Sequence, residues 1–342
     1  MKTSVLTGIF VAAFTIMTSA QQVKPHCKIA NRIKLDSNGT WDYLTVDEET
    51  NRLYISHNSI VQVVDLNTSK QIGIIPNIKG AHGIALAKEF NKGFITGGKD
   101  SSVTVFDLKT NETLAKIFVT GQKPDAILYD KATKRVFSFN GKSGNTTVID
   151  AKTNTVKGTI PLDGKPEFGV ADGKGKIFVN LEDKSEVEEI DASNMKSVKH
   201  WSIAPGEGPT GLAIDIKKRR LFSTCDNKMM VVSDADKGKV ITTVPIQFEP
   251  DAAGFDPEKM IVYCSNSGTL TVIKDSADTY KVQENFETQR GAKTMALNTK
   301  THHIYLPTAD FFPLTPVHAG KERPKPKPKP GTFVVLDVVE VE

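Results

Sequence analysis

The chain has 342 residues, of which 39% are hydrophobic and 25% charged, so it can bury a core and is not disordered by composition. Its three cysteines are too few for a disulfide scaffold, and no Cys-x-x-Cys pair offers a zinc or redox site. The net charge of +4 is carried by Lys2 and a basic segment near the C-terminus. The rest of the chain is formally neutral, so we do not expect a nucleic-acid partner.

The first twenty residues have the pattern of a secretory signal. Lys2 supplies a positive start, Val5 to Met17 is apolar, and Thr18-Ser19-Ala20 are the small residues that a signal peptidase accepts. Cys27 lies too far downstream for a lipoprotein. We predict a signal peptide over residues 1–20, cleaved near Ala20, and a periplasmic or secreted protein. No later apolar run reaches the roughly 20 residues of a membrane-spanning helix, so no membrane span is expected.

A unit of about 42 residues recurs seven times, and such a period is typical of repeat architectures. Each copy starts with a segment such as HGIALA or TGLAID, reaches an aromatic residue eleven or twelve positions later, and closes a third apolar run on Asp. The first residues of the seven segments, here called the mouth residues, are Asp42, His82, Asp125, Glu167, Thr210, Asp251 and Lys293.

Every unit has the composition of strands rather than helices. Short β-branched segments such as VQVVDL, TTVIDA and TFVVLD are bounded by turn-forming clusters. Four short strands per unit match one blade of a β-propeller, and seven blades lie within the usual four to eight. A linear solenoid would need polar capping units, which the sequence lacks. We therefore predict an all-β, seven-bladed β-propeller over residues 26–342.

The seventh unit is short of one strand, which predicts how the ring closes. Only five residues follow Asp337, too few for an outermost strand. The alternating segment Cys27 to Leu35 is placed to pair beside Thr332 to Leu336 and complete blade 7. Closure of this kind removes exposed sheet edges.

The second-strand segments carry a resemblance to a known family. NRLYIS, GKIFVN, MIVYCSN and HHIYLPT resemble the Tyr-Val-Thr-Asn signature of the YncE-like, or YVTN-type, seven-bladed propellers of bacteria. The resemblance covers roughly residues 26 to 342. It implies the fold but no particular reaction, so no catalytic residue is carried over from it.

Propeller topology places the mouth residues and the loops between second and third strands on one face of the ring. Two hypotheses explain the acids there. They cap backbone N–H groups at turns, or they form an acidic rim that holds a divalent metal, a cationic ligand or a polyhydroxylated one. Under the second hypothesis the ligand-binding residues are Asp42, His57, His82, Asp125, Glu167, Asp226, Asp251 and Lys293. The sequence assigns no metal ligands and no certain cofactor.

Two further features bear on this face. Tyr43 and Phe168 follow mouth residues where other units have small side chains, so they either fill the core or offer a stacking surface in the channel. The insertion at residues 309–331 in blade 7 begins with Phe311 and Phe312 and continues into alternating Lys and Pro, which favours an extended polyproline path. It is either a cationic flap over the channel, anchored by Phe311 or Phe312, or a solvated loop.

No nucleophile elbow, phosphate loop, metalloprotease motif or dinucleotide fingerprint is present. The sequence therefore favours an exported, monomeric binding or scaffold protein over an enzyme, with a small ligand, metal ion or protein partner at the acidic channel mouth. The alternative is a lactonase-like hydrolase or lyase that uses His57, His82 and nearby carboxylates, with or without a divalent metal.

Overall fold

The computed structural model describes residues 26–36, 38–313 and 326–341. Within these ranges the chain forms strands and a single short 3₁₀ helix, Lys88–Phe90. No helix in this part of the chain combines the length and apolar character needed to cross a membrane. The predicted signal peptide and residues 314–325 of the insertion lie outside the described residues.

The strands form seven four-stranded antiparallel sheets, which confirms the predicted all-β, seven-bladed propeller. Blades 1 to 6 each take four consecutive strands from the channel outward. Blade 1 is Trp41–Asp47, Arg52–His57, Ile60–Asp65 and Lys70–Ile75; blade 2 is Ala81–Ala87, Lys92–Gly97, Ser102–Asp107 and Thr113–Phe118; blade 3 is Pro124–Asp130, Arg135–Asn140, Asn145–Asp150 and Thr155–Pro161. Blade 4 is Pro166–Ala171, Lys176–Leu181, Glu186–Asp191 and Lys196–Ser202; blade 5 is Pro209–Asp215, Arg220–Cys225, Met229–Asp234 and Lys239–Pro245; blade 6 is Pro250–Asp256, Ile261–Asn266, Thr269–Ser276 and Thr279–Glu287.

Blade 7 is built from both ends of the chain. Ala296–Asn298, His303–Thr308 and Val334–Glu340 supply its first three strands, and Cys27–Lys34 is the outermost strand. That strand, here called the latch, pairs antiparallel from Cys27 opposite Glu340 to Lys34 opposite Val334. The predicted closure by the N-terminal segment is therefore confirmed.

The recurring aromatic residue of each second strand belongs to the core between blades. Tyr54, for example, packs with Ile84 and Phe106 of the next blade, and the Tyr54 and Phe106 ring centroids are 5.6 Å apart. These side chains are almost fully buried in every blade: Tyr54, Phe94, Phe137, Phe178, Phe222, Tyr263 and Tyr305. The repeat is thus a packing pattern, since each blade buries one face against its neighbour.

In blades 1 to 5 the recurring Asp at the end of the third strand is a turn residue. Its Oδ1 atom accepts the backbone N–H two positions further on, at 2.8 Å for Asp65 and Asp107 and 2.9 Å for Asp191. An Asp side chain that satisfies a turn N–H in this way fixes the tight link to the fourth strand. These closing acids are structural.

The three cysteines are buried free thiols. Cys225 and Cys264 belong to separate core clusters, on either side of blade 5.

Candidate functional site

The mouth residues occupy one repeated position in the structure as well as in the sequence. In blades 1 to 6 each is the second residue of the inner strand. The pairing with the second strand is interrupted there in all six: in blade 1, Trp41 pairs with His57 but the next pair is Leu44 with Ile55. An irregularity of this kind re-aims side chains out of the regular pleat. It allows mouth residues of different blades to meet.

The backbone of the mouth is held by side chains from neighbouring blades. A hydroxyl or amide group donates to the carbonyl oxygen of five mouth residues: Ser56 to His82, Thr96 to Asp125 at 2.5 Å, Asn180 to Thr210 at 3.1 Å, Ser265 to Lys293, and Thr294 to Asp42 at 2.9 Å. Sequence reasoning missed these positioning residues. The signal was present, because a small polar residue follows two positions after the core aromatic in four of those blades.

His82 lies between two carboxylates from the flanking blades. Its Nδ1 atom is hydrogen-bonded to Asp42 Oδ2 and is 3.7 Å from Asp125 Oδ1. The three side chains are 18 to 28% exposed, so water in the channel reaches them. Each offers one donor atom, and these atoms lie within 4.8 Å of one another. Within the described ranges this is the one group of three such side chains compact enough for a metal ion.

Burial and mutual repulsion govern the protonation of this group. Burial raises the pKa of Asp42, and it raises the pKa of Asp125 to about 6 with the charge of Asp42 adding to the effect. Burial opposes protonation of His82, but the hydrogen bond to Asp42 and the charge of Asp125 outweigh it, so the pKa of His82 is raised. A protonated His82 therefore offsets part of the negative charge on its two neighbours.

The opposite side of the mouth pairs acids with lysines. Lys165 Nζ is 3.4 Å from Glu167 Oε2 and also contacts Glu182, and Lys293 Nζ is 3.1 Å from Asp251 Oδ2. Burial, reinforced by the charge of Asp125, raises the pKa of Glu167 to about 8. The two lysines therefore do not offset the crowding of negative charge at this mouth.

The hydrogen bonds of the mouth acids decide between the two hypotheses for them. Within the part of the chain that the structure describes, the carboxylates of Asp42, Asp125, Glu167 and Asp251 contact His82 or lysine side chains and accept no backbone N–H. They differ in this from the closing Asp residues of the third strands, such as Asp65. The mouth acids are not turn caps.

Two aromatic rings narrow the channel next to the acids. Tyr43 of blade 1 and Phe168 of blade 4 meet across the ring, with centroids 5.6 Å apart. Burial raises the pKa of Tyr43 well above its usual value, and the charges of Asp125 and Glu167 add to this. The two rings are tilted by 39° to each other and pack against the core between blades 3 and 4, so they extend that core.

A cavity of about 710 Å³ opens at the mouth on the side of blades 4 to 7. Its lining includes five carboxylates and one lysine: Glu167, Glu182, Asp226, Glu249, Asp251 and Lys293. The lining also has an apolar wall, formed by Trp41, Phe311, Pro326 and Pro328. The volume is that of a small-molecule site.

The described ends of the insertion contribute to that wall. Phe311 and Pro328 form an isolated β-bridge, and Phe312 N–H donates to the Lys327 carbonyl at 3.0 Å. The Phe311 ring is 6.0 Å from Trp41 and lies beneath the Arg290 guanidinium at 5.5 Å. Phe312 is 50% exposed. Phe311 is therefore the anchoring ring of the two that the sequence offered.

The structure brings seven of the eight sequence-predicted ligand residues to the mouth or its cavity. His57 is separated from them. It is 1% exposed, and its ring packs edge-on against Phe333 at 4.3 Å, with Trp41 at 6.4 Å. Burial lowers the pKa of His57 to about 4, so it is neutral at physiological pH. His57 is therefore a buried residue that packs against Trp41 and Phe333.

Three of the charged or aromatic cavity residues were not predicted: Trp41, Glu182 and Glu249. Trp41 is the first residue of its strand. Glu182 directly follows the second strand of blade 4, and Glu249 directly precedes the inner strand of blade 6. Glu249 precedes Pro250 and has a left-handed backbone with φ of 53°. Three mouth residues have a charged residue two positions earlier (Lys123, Lys165 and Glu249), and this pattern is the signal that could have revealed the further charges around the mouth.

Fold and site together define the class of the protein: a seven-bladed β-propeller with an ionisable channel mouth. No protein-family model matches the chain, and no curated protein matches it. Among solved structures it is similar to a chain of Kuenenia stuttgartiensis hydrazine synthase, with a TM-score of 0.71 and 16% identity over 80% of this chain and 93% of that one. At this identity the similarity shows the fold alone, so membership of the YncE-like family stays a prediction.

Proposed function

We propose that the protein is an exported binding protein that holds a small, positively charged ligand at the mouth of its central channel. A propeller fold fits a binding or scaffold role. The pattern of residues 1–20 supports export to the periplasm or beyond.

The proposal rests on one observation: the mouth acids lie close to one another, and within the described ranges their carboxylates accept no backbone N–H. Asp42, Asp125 and Glu167 all have raised pKa values, first through burial and then through neighbouring carboxylates. Like charges gathered in this way destabilise the folded chain unless a cation joins them. Acids that lower the stability of the folded chain and do not stabilise a turn are typical of a binding site.

The proposal predicts that cations, and not anions or neutral compounds, raise the melting temperature of the purified protein. A ligand present at a hundred times its Kd adds about 2.7 kcal/mol to the free energy of unfolding. The measurement is a thermal-shift screen of divalent metals and organic amines against the wild type, Asp125→Asn and Glu167→Gln. The shifts should shrink in both variants. Glu207→Gln, an exposed acid on the same face that does not line the cavity, is the matched control.

Equal shifts from neutral compounds, or shifts that persist unchanged in Asp125→Asn and Glu167→Gln, would contradict a cation site at the mouth.

A hydrolase or lyase is the second candidate, favoured by the His82 group. An imidazole hydrogen-bonded to one carboxylate, with a second within 4.8 Å, has the parts of a general acid–base pair or of a metal site. His57, which the sequence offered for the same role, is buried away from it. Metal analysis of the purified protein and of His82→Ala separates the candidates, because an enzyme of this kind would lose its metal or its turnover in the variant.

A further inference from the structure

We infer that the ligand of the mouth cavity is an organic ammonium ion, a nitrogen cation that carries alkyl groups, rather than a metal ion. The inference rests on the proposed function and names the class of ligand. It follows from the two unlike parts of the cavity lining: carboxylates from blades 4 to 6, and an apolar wall in which Trp41, Phe311 and Pro328 contact one another.

The acidic wall keeps unmatched charge. Asp226 and Glu249 form no ion pair with any residue in the described ranges, whereas Lys165 and Lys293 are engaged by Glu167, Glu182 and Asp251. Burial and then the charges of Glu182 and Glu249 raise the pKa of Asp226, and the charges of Lys293 and Lys165 oppose this shift without cancelling it. The wall therefore attracts a cation from solution.

The spacing of these acids does not suit a divalent metal. Calcium takes six to eight oxygen ligands at about 2.3–2.6 Å. Within the described part of the chain, the three side chains that come within 4.8 Å of one another are Asp42, His82 and Asp125, and none of them lines this cavity. The cavity acids are spread along a space of about 710 Å³, where one water occupies only about 30 Å³. A larger cation with dispersed charge fits this arrangement.

The apolar wall of the cavity suits the alkyl groups of such a cation. Trp41 packs on Phe333 at 5.2 Å and on Phe311 at 6.0 Å, and Arg290 covers Phe311 from 5.5 Å. Trp41 is thereby held in place at the cavity wall. Tryptophan is the best partner for an alkylated ammonium ion, which it attracts from within about 6 Å of the ring. Carboxylates and a fixed indole that line the same cavity recognise both the charge and the apolar surface of the ligand.

The experiment is calorimetric titration of the purified protein with choline and with its uncharged isostere, in which carbon replaces the quaternary nitrogen. Choline should bind with a Kd below about 1 mM. The isostere should bind at least about tenfold more weakly, since it keeps the shape but not the charge. The double variant Asp226→Asn/Glu249→Gln should weaken choline binding about tenfold, and Trp41→Leu about fivefold.

Within the described ranges neither carboxylate forms a hydrogen bond or an ion pair, and the charge of Glu249 raises the pKa of Asp226, so the double variant should keep the wild-type melting temperature or exceed it. Glu207→Gln, tested in parallel, should bind choline as the wild type does.

The outcomes separate this inference from the proposed function. If calcium or ammonium ions bind through Asp226 and Glu249 and choline does not, the inference of an organic cation is overturned, while the proposed cation site stands. Choline binding that is unchanged in the double variant, or matched by the isostere, would overturn the inference directly. A protein that binds none of these cations contradicts the inference and the proposed function together.

Discussion

Removing the segment Cys27–Leu35, which consists of the latch and the residue after it, is expected to abolish cooperative folding. Cys27, Ile33 and Leu35 are 1 to 4% exposed, and burying each such side chain contributes about 1.5–3 kcal/mol. Their joint loss of about 5 kcal/mol or more is comparable with the whole stability of a domain, about 5–15 kcal/mol. The deletion also leaves the last strand, Val334–Glu340, as an open edge that favours aggregation. Urea unfolding followed by circular dichroism, with analytical ultracentrifugation, measures both effects.

A milder variant keeps the prediction testable if the deletion does not fold. Ile33→Ala should lower the free energy of unfolding by about 2–4 kcal/mol, because it opens a cavity between blades 7 and 1. Ile72→Ala, on the exposed side of an outer strand, should change it by less than about 0.5 kcal/mol. Equal effects of the two substitutions would show that the latch does not hold the ring closed.

The second large effect is a loss of stability as the pH rises from 6.5 to 8. Burial and the charge of Asp125 raise the pKa of Glu167 from 4.5 to about 8. At pH values between these two, the folded chain therefore binds more protons than the unfolded chain. Stability then falls as pH rises, by up to about 1.4 kcal/mol per pH unit, or about 2 kcal/mol over this range. His82, whose pKa is also raised, acts in the same direction.

The choice of range avoids an opposing group. The pKa of His57 is lowered from 6.5 to about 4, so its contribution to stability is lost only as pH falls below 6.5. Melting temperatures at pH 6.5 and 8 should therefore differ clearly in the wild type and much less in Glu167→Gln, with Glu207→Gln behaving as the wild type. A wild type whose melting temperature rises with pH over this range would show that Glu167 is not buried among other acids.

The sequence predicted the features that depend on period and register. Seven copies of one unit determine the blade number, and the alternating segment Cys27 to Leu35 was predicted as the strand that the structure places in blade 7. The mouth residues could be predicted for the same reason, because one position per repeat must recur at one place in a closed ring. Neither prediction depended on the conformation of any side chain.

The prediction for His57 did not have this support. Counting strands placed its loop on the right face, but its burial depends on Phe333, which the sequence places 276 positions later and the closed ring brings to 4.3 Å. The pairing of His82 with Asp42 and the position of Trp41 in the cavity wall likewise depend on the radius of the ring and on the path of the insertion. Contacts between distant segments of this kind leave no local pattern in the sequence.

The most direct test of a cation site at the channel mouth is to measure stability and ligand binding together in Glu167→Gln/Asp226→Asn. Both replaced acids have raised pKa values, and neither accepts a backbone hydrogen bond within the described ranges. The account predicts a double variant that is more stable than the wild type at pH 8 without ligand and that no longer binds the cations found for the wild type. A variant that is less stable, or that binds those cations with unchanged affinity, would contradict it.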